Sequence, residues 1–402
     1  MFSLDRFYNI LHSNFIQPLR GQSHYFYPFG TYDQTLFLGL DKFNSNQHHL
    51  SKEIKIGGAI KCYYFDQEPF YNLTPILDRV VKSTTDHPTL TKKIHILANS
   101  EISELKTQYC KQYKLYDWYY FFHGFAALDW YRDFEYANPT VFDNYQKVFI
   151  CYNHLTSKLR SYRLHLVSNL IEQDLVKYGH VSLSLTDPYG SWQETVADQD
   201  NPLDHRARSK ITESLNTLKG PLTIEHDVPT GSMSANVSLD QLTSALWHVV
   251  TETIYYDDKL HLTEKVFKPI VAKRPFILAA APGNLAYLKR YGFKTFDQWI
   301  DESYDLEPDH YIRIEKITAE INRLCNLGPD KLKQIHREMQ AVLEYNYQFF
   351  YQGFKTVIVD EMCKNFDNIL CQVNNGRQPN NHSAYHQRYE LDMEPVKQRL
   401  IR

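Results

Sequence analysis

Three side chains in one short stretch carry the strongest chemical signal. Residues 262–283 read LTEKVFKPIVAKRPFILAAAPG. A loop delivers Thr263, Glu264 and Lys265 to the first turn of an expected helix over 263–273. Threonine is a helix-capping type, and a helix start attracts an anion. Lys265 adds a point charge for phosphate. Glu264 is an acceptor able to hold sugar or ribose hydroxyls. An acceptor, a cation and a helix start together suit a nucleotide diphosphate sugar. A capped surface helix with a neighbouring charge pair accounts for the same three residues and, on residue types alone, is the commoner case.

Other candidates are more dispersed. Residues 147–179 read KVFICYNHLTSKLRSYRLHLVSNLIEQDLVKYG, with Arg160 and Arg163 three apart on an expected helix over 159–178. That spacing lets both share a face, as ordinary surface cations also would. Residues 59–70, AIKCYYFDQEPF, end in the carboxylates Asp66 and Glu68. Either suits a general base, and a proline-closed Asx turn is the alternative. His123 ends YDWYYFFHG, where it would meet an acceptor, although a strand-end histidine is more often structural. Trp118, Tyr119, Tyr120, Phe121 and Phe122 would alternate across a strand, and Trp130 and Tyr131 are rim aromatics on which a sugar could stack. Asp198-Gln199-Asp200 matches a metal-binding triplet formally, but in a polar segment where such triplets arise by chance. No metal site is expected.

The elements that must position these residues form a repeating pattern. Strands are expected over 59–65, 94–98 and 115–122, with a helix over 102–113. After a crossing over 139–145 the pattern restarts, with strands over 147–152, 181–185 and within 245–255. A further strand is expected over 275–281, and a helix over 284–291 is stopped by Gly292. Gly179 reads as the stop of the preceding long helix. Residues 187–206 read as a surface excursion, and 312–351 as largely helical. Alternating strands and helices imply parallel sheets. The expected fold is α/β, with two Rossmann-like doubly wound domains facing a cleft and a helical C-terminal tail. The expected divisions are 1–145 on the acceptor side, 146–345 for the donor, and 346–402 as the tail, packing back on the first domain. Ligands of such sheets sit beyond the strand carboxyl ends.

Composition narrows the class. A chain of 402 residues suits two or three domains at roughly 150 residues each. An aromatic content of 14% excludes disorder as the main state. Lys plus Arg is 44 against 47 for Asp plus Glu, so the basic surplus usual for a duplex-DNA binder is absent. Cys62, Cys110, Cys151, Cys325, Cys363 and Cys371 lack CxxC spacing, which argues against a zinc ribbon or disulfide framework. The apolar run 275–282 is too short for a membrane span. With no signal-peptide core, a cytoplasmic setting is expected, bacterial or, for a viral protein, that of the host.

The stretch 262–283 resembles the donor-binding segment of the α-1,3-fucosyltransferase family: Thr263-Glu264-Lys265, a helix, the strand at Arg274-Pro275-Phe276-Ile277, then Ala281-Pro282-Gly283. Pro269 inside the helix is a departure that would kink it. Residues 147–179 are similar to the family's strand, loop and Arg-bearing helix ending in Tyr178-Gly179. Asp66-Gln67-Glu68-Pro69 is similar to its acidic, proline-containing loop. The resemblance implies a GT-B type glycosyltransferase moving fucose or a related sugar with inversion and without an obligatory metal or other cofactor. The donor would be a nucleotide diphosphate sugar, a GDP-sugar first. It implies Arg163, then Arg160, on the diphosphate with Thr263, Glu264 and Lys265, and Glu68, then Asp66, as base. The acceptor would be a glycan or another hydroxyl compound. Nucleic acid enters only as an acceptor, through modified DNA bases, and a non-catalytic nucleotide-sugar binder is the other alternative.

Overall fold

The structure, a computed structural model, describes residues 22–27, 59–66, 69, 94–137, 139, 145–224, 235 and 238–373. Two four-stranded sheets, both wholly parallel, organise them. The chain divides into two compact units, Met1–Ala126 with Ile358–Arg402, and Ala127–Val357. The divisions expected from sequence lay at 145 and 345.

The first unit holds β1 (Gln22–Tyr27), β2 (Ala59–Asp66), β3 (Ile94–Asn99) and β4 (Tyr116–Tyr119). They lie side by side in chain order. A doubly wound sheet reverses its strand order part-way across. Among the described strands this sheet therefore lacks the order reversal that a doubly wound domain requires.

Helix α1 (Glu104–Tyr113) starts at Ser103, whose side chain accepts from the Lys106 amide. The strand expected over 115–122 ends at Tyr119, and the chain then enters α2 (Phe122–Trp130). All five rings from Trp118 to Phe122 are buried, because strand and helix both face the core. The helix Lys355–Val373 packs here. Trp118 Nε1 donates to the Met362 carbonyl at 3.1 Å, and its ring lies 5.5 Å from that of Phe366.

The second unit holds β5 (Lys147–Cys151), β6 (Gly179–Val181), β9 (Ala245–Thr251) and β10 (Phe276–Ala279). A short antiparallel pair, β7 (Thr186–Asp187) and β8 (Gly190–Ser191), stands apart. The main order is β10-β9-β5-β6, so the chain leaves β5 towards β6 and later returns on its other side. The order reverses between β5 and β9. Every residue of β9 and β10 is buried, as in parallel strands covered on both faces.

The expected helix over 159–178 is three pieces: a 3-10 turn Lys158–Arg160, α3 (Tyr162–Glu172) and a 3-10 turn Val176–Tyr178. Part of the expected excursion 187–206 is ordered as the β7–β8 pair and the start of α4 (His205–Leu215), capped by Asp204. The unit also holds helices α5 (Phe267–Val271), α6 (Asn284–Arg290), α7 (His310–Cys325) and α8 (Pro329–Phe349), with shorter helical turns Phe134–Ala137, Trp192–Ala197 and Leu239–Thr243. A π-turn Phe350–Phe354 follows α8.

Two buried arginines tie the second sheet. Arg274 donates from Nε to the Ala245 carbonyl at 3.2 Å and from Nη2 to the Thr243 carbonyl at 3.1 Å, fixing the start of β9. Arg163 acts at the opposite end. Among the described residues, no helix is long and apolar enough to cross a membrane.

Candidate functional site

The candidate site lies at the carboxyl ends of β5 and β9, where the strand order reverses. In open α/β sheets this is where ligands bind. Strand β5 delivers Tyr152 and Asn153; β9 delivers Glu252 and Thr253.

The loop after β5 is pinned by Asp187. Its carboxylate accepts from the amides of Thr156 (2.8 Å), Ser157 (2.9 Å) and Tyr189 (2.9 Å), and from the Ser157 hydroxyl at 2.8 Å. Burial works to raise its pKa, but these bonds prevail and hold it below the usual range. The loop amides thus already face an anion, the protein's own.

Arg163 projects from α3 into the junction of the two strands. Nη1 donates to the Leu155 carbonyl at 2.9 Å, and Nη2 to those of Thr251 (2.8 Å) and Glu252 (3.1 Å). It is 3% exposed. Its two terminal nitrogens are thus engaged with the main chain, which makes it a clamp on the site. Arg160 ends the preceding 3-10 turn and is buried. Both arginines reach His154, whose pKa is lowered first by desolvation, against the pull of Asp187.

Thr263, Glu264 and Lys265 come to the same place. Thr263 caps a 3-10 turn Glu264–Val266, which passes into α5. Pro269 lies in the first turn of α5, where a missing amide is tolerated. The expected kink is thus a change of helix type: Pro269 cannot donate to the carbonyl of Lys265. Phe267 anchors the segment, its ring 5.3 Å from Phe350 and 5.1 Å from Phe354 of the π-turn.

The Thr263 hydroxyl donates to Glu252 Oε2 in a short hydrogen bond, and its amide donates to Oε1 at 3.2 Å. Glu252 is fully buried. Burial raises its pKa; Lys265 and the Thr263 bonds oppose that. Lys265 Nζ lies 3.2 Å from Thr253 Oγ1, 3.1 Å from Thr263 Oγ1 and 3.1 Å from Glu264 Oε1. Its side chain is 24% exposed, whereas that of Glu264 is 4% exposed. Lys268 completes the group. It is half-buried, and desolvation pushes its pKa down to about 8 despite Glu264 and Glu252.

Four of the sequence-predicted residues, Arg163, Thr263, Glu264 and Lys265, are therefore brought together, with Arg160 at the border. Sequence reading missed Glu252, Thr253 and Lys268. Glu252 follows the strand ALWHVVT, where His248 and Thr251 interrupt the apolar run, so no local signal marked it.

The remaining candidates fall elsewhere. His123 sits in the first turn of α2 rather than at a strand end, and is 4% exposed against Phe122. Tyr131 is wholly buried, stacked on Phe134, so it is not a rim residue. Asp198 accepts from the Asp200 amide at 3.0 Å, closing an Asx turn. Asp66 ends β2, its side chain outside the described residues, as is Glu68 altogether. Among the described residues, no group of three or more His, Cys, Asp or Glu could hold a metal ion.

No protein-family profile matches the chain, and no curated protein does. Among solved structures, the chain is similar to that of T4 phage BGT in complex with its UDP-glucose substrate. The TM-score is 0.34 and the identity 11%, over 74% of each chain.

Proposed function

We propose that this chain is a glycosyltransferase of the GT-B type that binds a nucleotide diphosphate sugar at the strand-order reversal of the second sheet. One observation carries this reading. Glu264 and Lys265 sit on a capped turn beside Arg163 at the carboxyl ends of β5 and β9. Lys265 supplies positive charge for the departing diphosphate, and Glu264 an acceptor for a hydroxyl of the donor. Arg163 supports both by fixing the strand ends.

In the reaction, an acceptor hydroxyl oxygen attacks the anomeric carbon from the face opposite the diphosphate. The new C–O bond forms as the bond to the diphosphate oxygen breaks, and the configuration inverts. A carboxylate takes the hydroxyl proton; Glu68 is assigned this role, with Asp66 as the alternative. The cations balance the charge of the leaving group, so no metal is required. The sequence resemblance favours a GDP-sugar carrying fucose or a related hexose, and a glycan acceptor.

The test is a thermal-shift screen of GDP- and UDP-sugars with their nucleoside diphosphates, on wild type and Lys265→Ala. A ligand at about 100 times its Kd adds about 2.7 kcal/mol of stability. A shift with one nucleotide family, lost in the variant, supports the donor site and names the base. No shift with any nucleotide removes the reading.

A further inference from the structure

Resting on the donor site proposed above, we infer that Lys268, with the hydroxyl of Tyr152, completes its anion-binding part and takes a phosphate of the nucleoside diphosphate as its partner. The other two cations are already occupied. Lys265 has three acceptors for its three ammonium hydrogens. Arg163 gives its terminal nitrogens to carbonyls. Lys268 differs: among the described residues, no hydrogen bond or ion pair engages its ammonium. Its one close neighbour of note is the ring of Tyr152, with Nζ 5.8 Å from the centroid. The Tyr152 hydroxyl oxygen is itself buried without a partner among the described residues.

Two unmatched donors thus stand at one mouth of the sheet. Tyr152 leaves the carboxyl end of β5, and Lys268 belongs to the first turn of α5. A desolvated cation is seldom left unpaired, and a tyrosine hydroxyl donates readily to a phosphate oxygen. The charged and titratable groups around Lys268 are Glu264, Lys265, Glu252, Arg163 and His248, besides Tyr152. Two acids, Glu264 and Glu252, face two basic side chains, Lys265 and Arg163, so this surround offers Lys268 no net counter-charge.

That balance gives a signature that simple packing would lack. Without ligand, the Lys268 ammonium loses its proton near pH 8. A bound phosphate favours the charged form and raises the pKa. Above pH 8, binding must therefore take up a fraction of a proton.

The experiment is calorimetric titration of GDP, UDP and inorganic pyrophosphate at pH 8.5, in buffers of different ionisation enthalpy. With GDP and UDP, whose phosphates are fully ionised at pH 8.5, wild type is expected to take up protons there and to show no uptake at pH 6.5, where Lys268 is already charged. Lys268→Met is expected to bind about tenfold more weakly, as for loss of a charge-assisted hydrogen bond, and to show no uptake. Lys268→Arg, always charged, is expected to recover affinity without uptake. Tyr152→Phe should weaken binding by a smaller factor. If Lys268→Met fails to fold, the wild-type uptake and the Arg variant still decide. Binding without proton uptake in wild type, or unchanged Kd in Lys268→Met, overturns this inference and leaves the donor site standing. Failure of all three probes to bind wild type overturns both.

Discussion

The guanidinium of Arg163 donates to the main-chain carbonyl of Thr251 at 2.8 Å, across the point where the strand order of the second sheet reverses. The same nitrogen reaches the Glu252 carbonyl, and its neighbour the Leu155 carbonyl. One side chain of α3 thereby joins the end of β9 to the loop after β5. Arg163→Met should leave these carbonyls without that donor and lower stability by at least about 3 kcal/mol. Arg163→Lys should recover less than half, because an ammonium cannot spread over the same fork. Urea denaturation measures both. A Met variant within about 1 kcal/mol of wild type would remove the clamp from this account.

The Thr263 hydroxyl serves Glu252 as donor and Lys265 as acceptor. Thr263→Val keeps the shape and deletes both bonds, together with the cap bond from the Lys265 amide. A buried carboxylate then loses a donor, at a cost of about 2 kcal/mol. Thr263→Ser should keep most of the stability, since the hydroxyl remains. A thermal denaturation series on the two variants tests this; a Thr263→Val variant as stable as wild type would show that the hydroxyl's hydrogen bonds contribute nothing.

Much of this site was readable before the structure, because its parts are local. Thr263, Glu264 and Lys265 are adjacent, and a capping residue before an apolar helix is a local signal. The strands were readable for the same reason: AIKCYYF, KVFIC and PFILAA are apolar runs of strand length. Glu252 was not readable. Its donor Thr263 lies 11 residues away, beyond a loop, so nothing nearby marks a buried carboxylate. Lys268 was obscured by Pro269, which drew attention to a kink. Residues 187–206 read as a surface excursion because their polar composition hides short capped elements, including the capping box of Ser191 and Glu194.

Away from the site, α3, α4 and α7 share a polar contact centred on Glu315. Its carboxylate accepts from Asn169 at 2.9 Å and Lys210 at 3.2 Å, and lies 3.5 Å from His165 Nε2. The approach of His165 leads, ahead of the opposing desolvation, in holding its pKa down at about 2, against 4.5 ordinarily. A depressed carboxylate contributes stability that is complete above the unfolded value and fades as pH falls through the folded one. Stability should therefore drop between about pH 4.5 and about pH 2. In Glu315→Gln this part of the drop should vanish, though other carboxylates still titrate. About a third of the side chain is open to solvent, so high salt should shrink the effect. Denaturation midpoints across pH, at low and high salt, measure it. An unchanged pH profile in Glu315→Gln would show that the contact contributes nothing.

Gly179 and Gly292 were both expected as helix stops; both follow a helical turn, but only Gly292 does so in the left-handed region. Gly292 has φ +102°, the left-handed region that ends α6 cheaply for glycine. Gly179 caps the 3-10 turn Val176–Tyr178 with φ −119°, extended backbone, and opens β6. It is glycine for a different reason: a Cβ there would lie 2.4 Å from the Phe149 ring of the neighbouring strand. Sequence cannot separate these cases, because the ring comes from a residue thirty positions earlier. Gly179→Ala should therefore cost about 1–3 kcal/mol through overpacking, although its backbone suits alanine. Phe149→Leu in the same chain should relieve part of that clash, whereas it should do nothing for Gly292→Ala, whose strain includes its backbone. A double-mutant cycle by chemical denaturation measures the coupling. A coupling energy near zero between positions 149 and 179 would mean the strand pair yields, and that Gly179 is not required by the Phe149 ring.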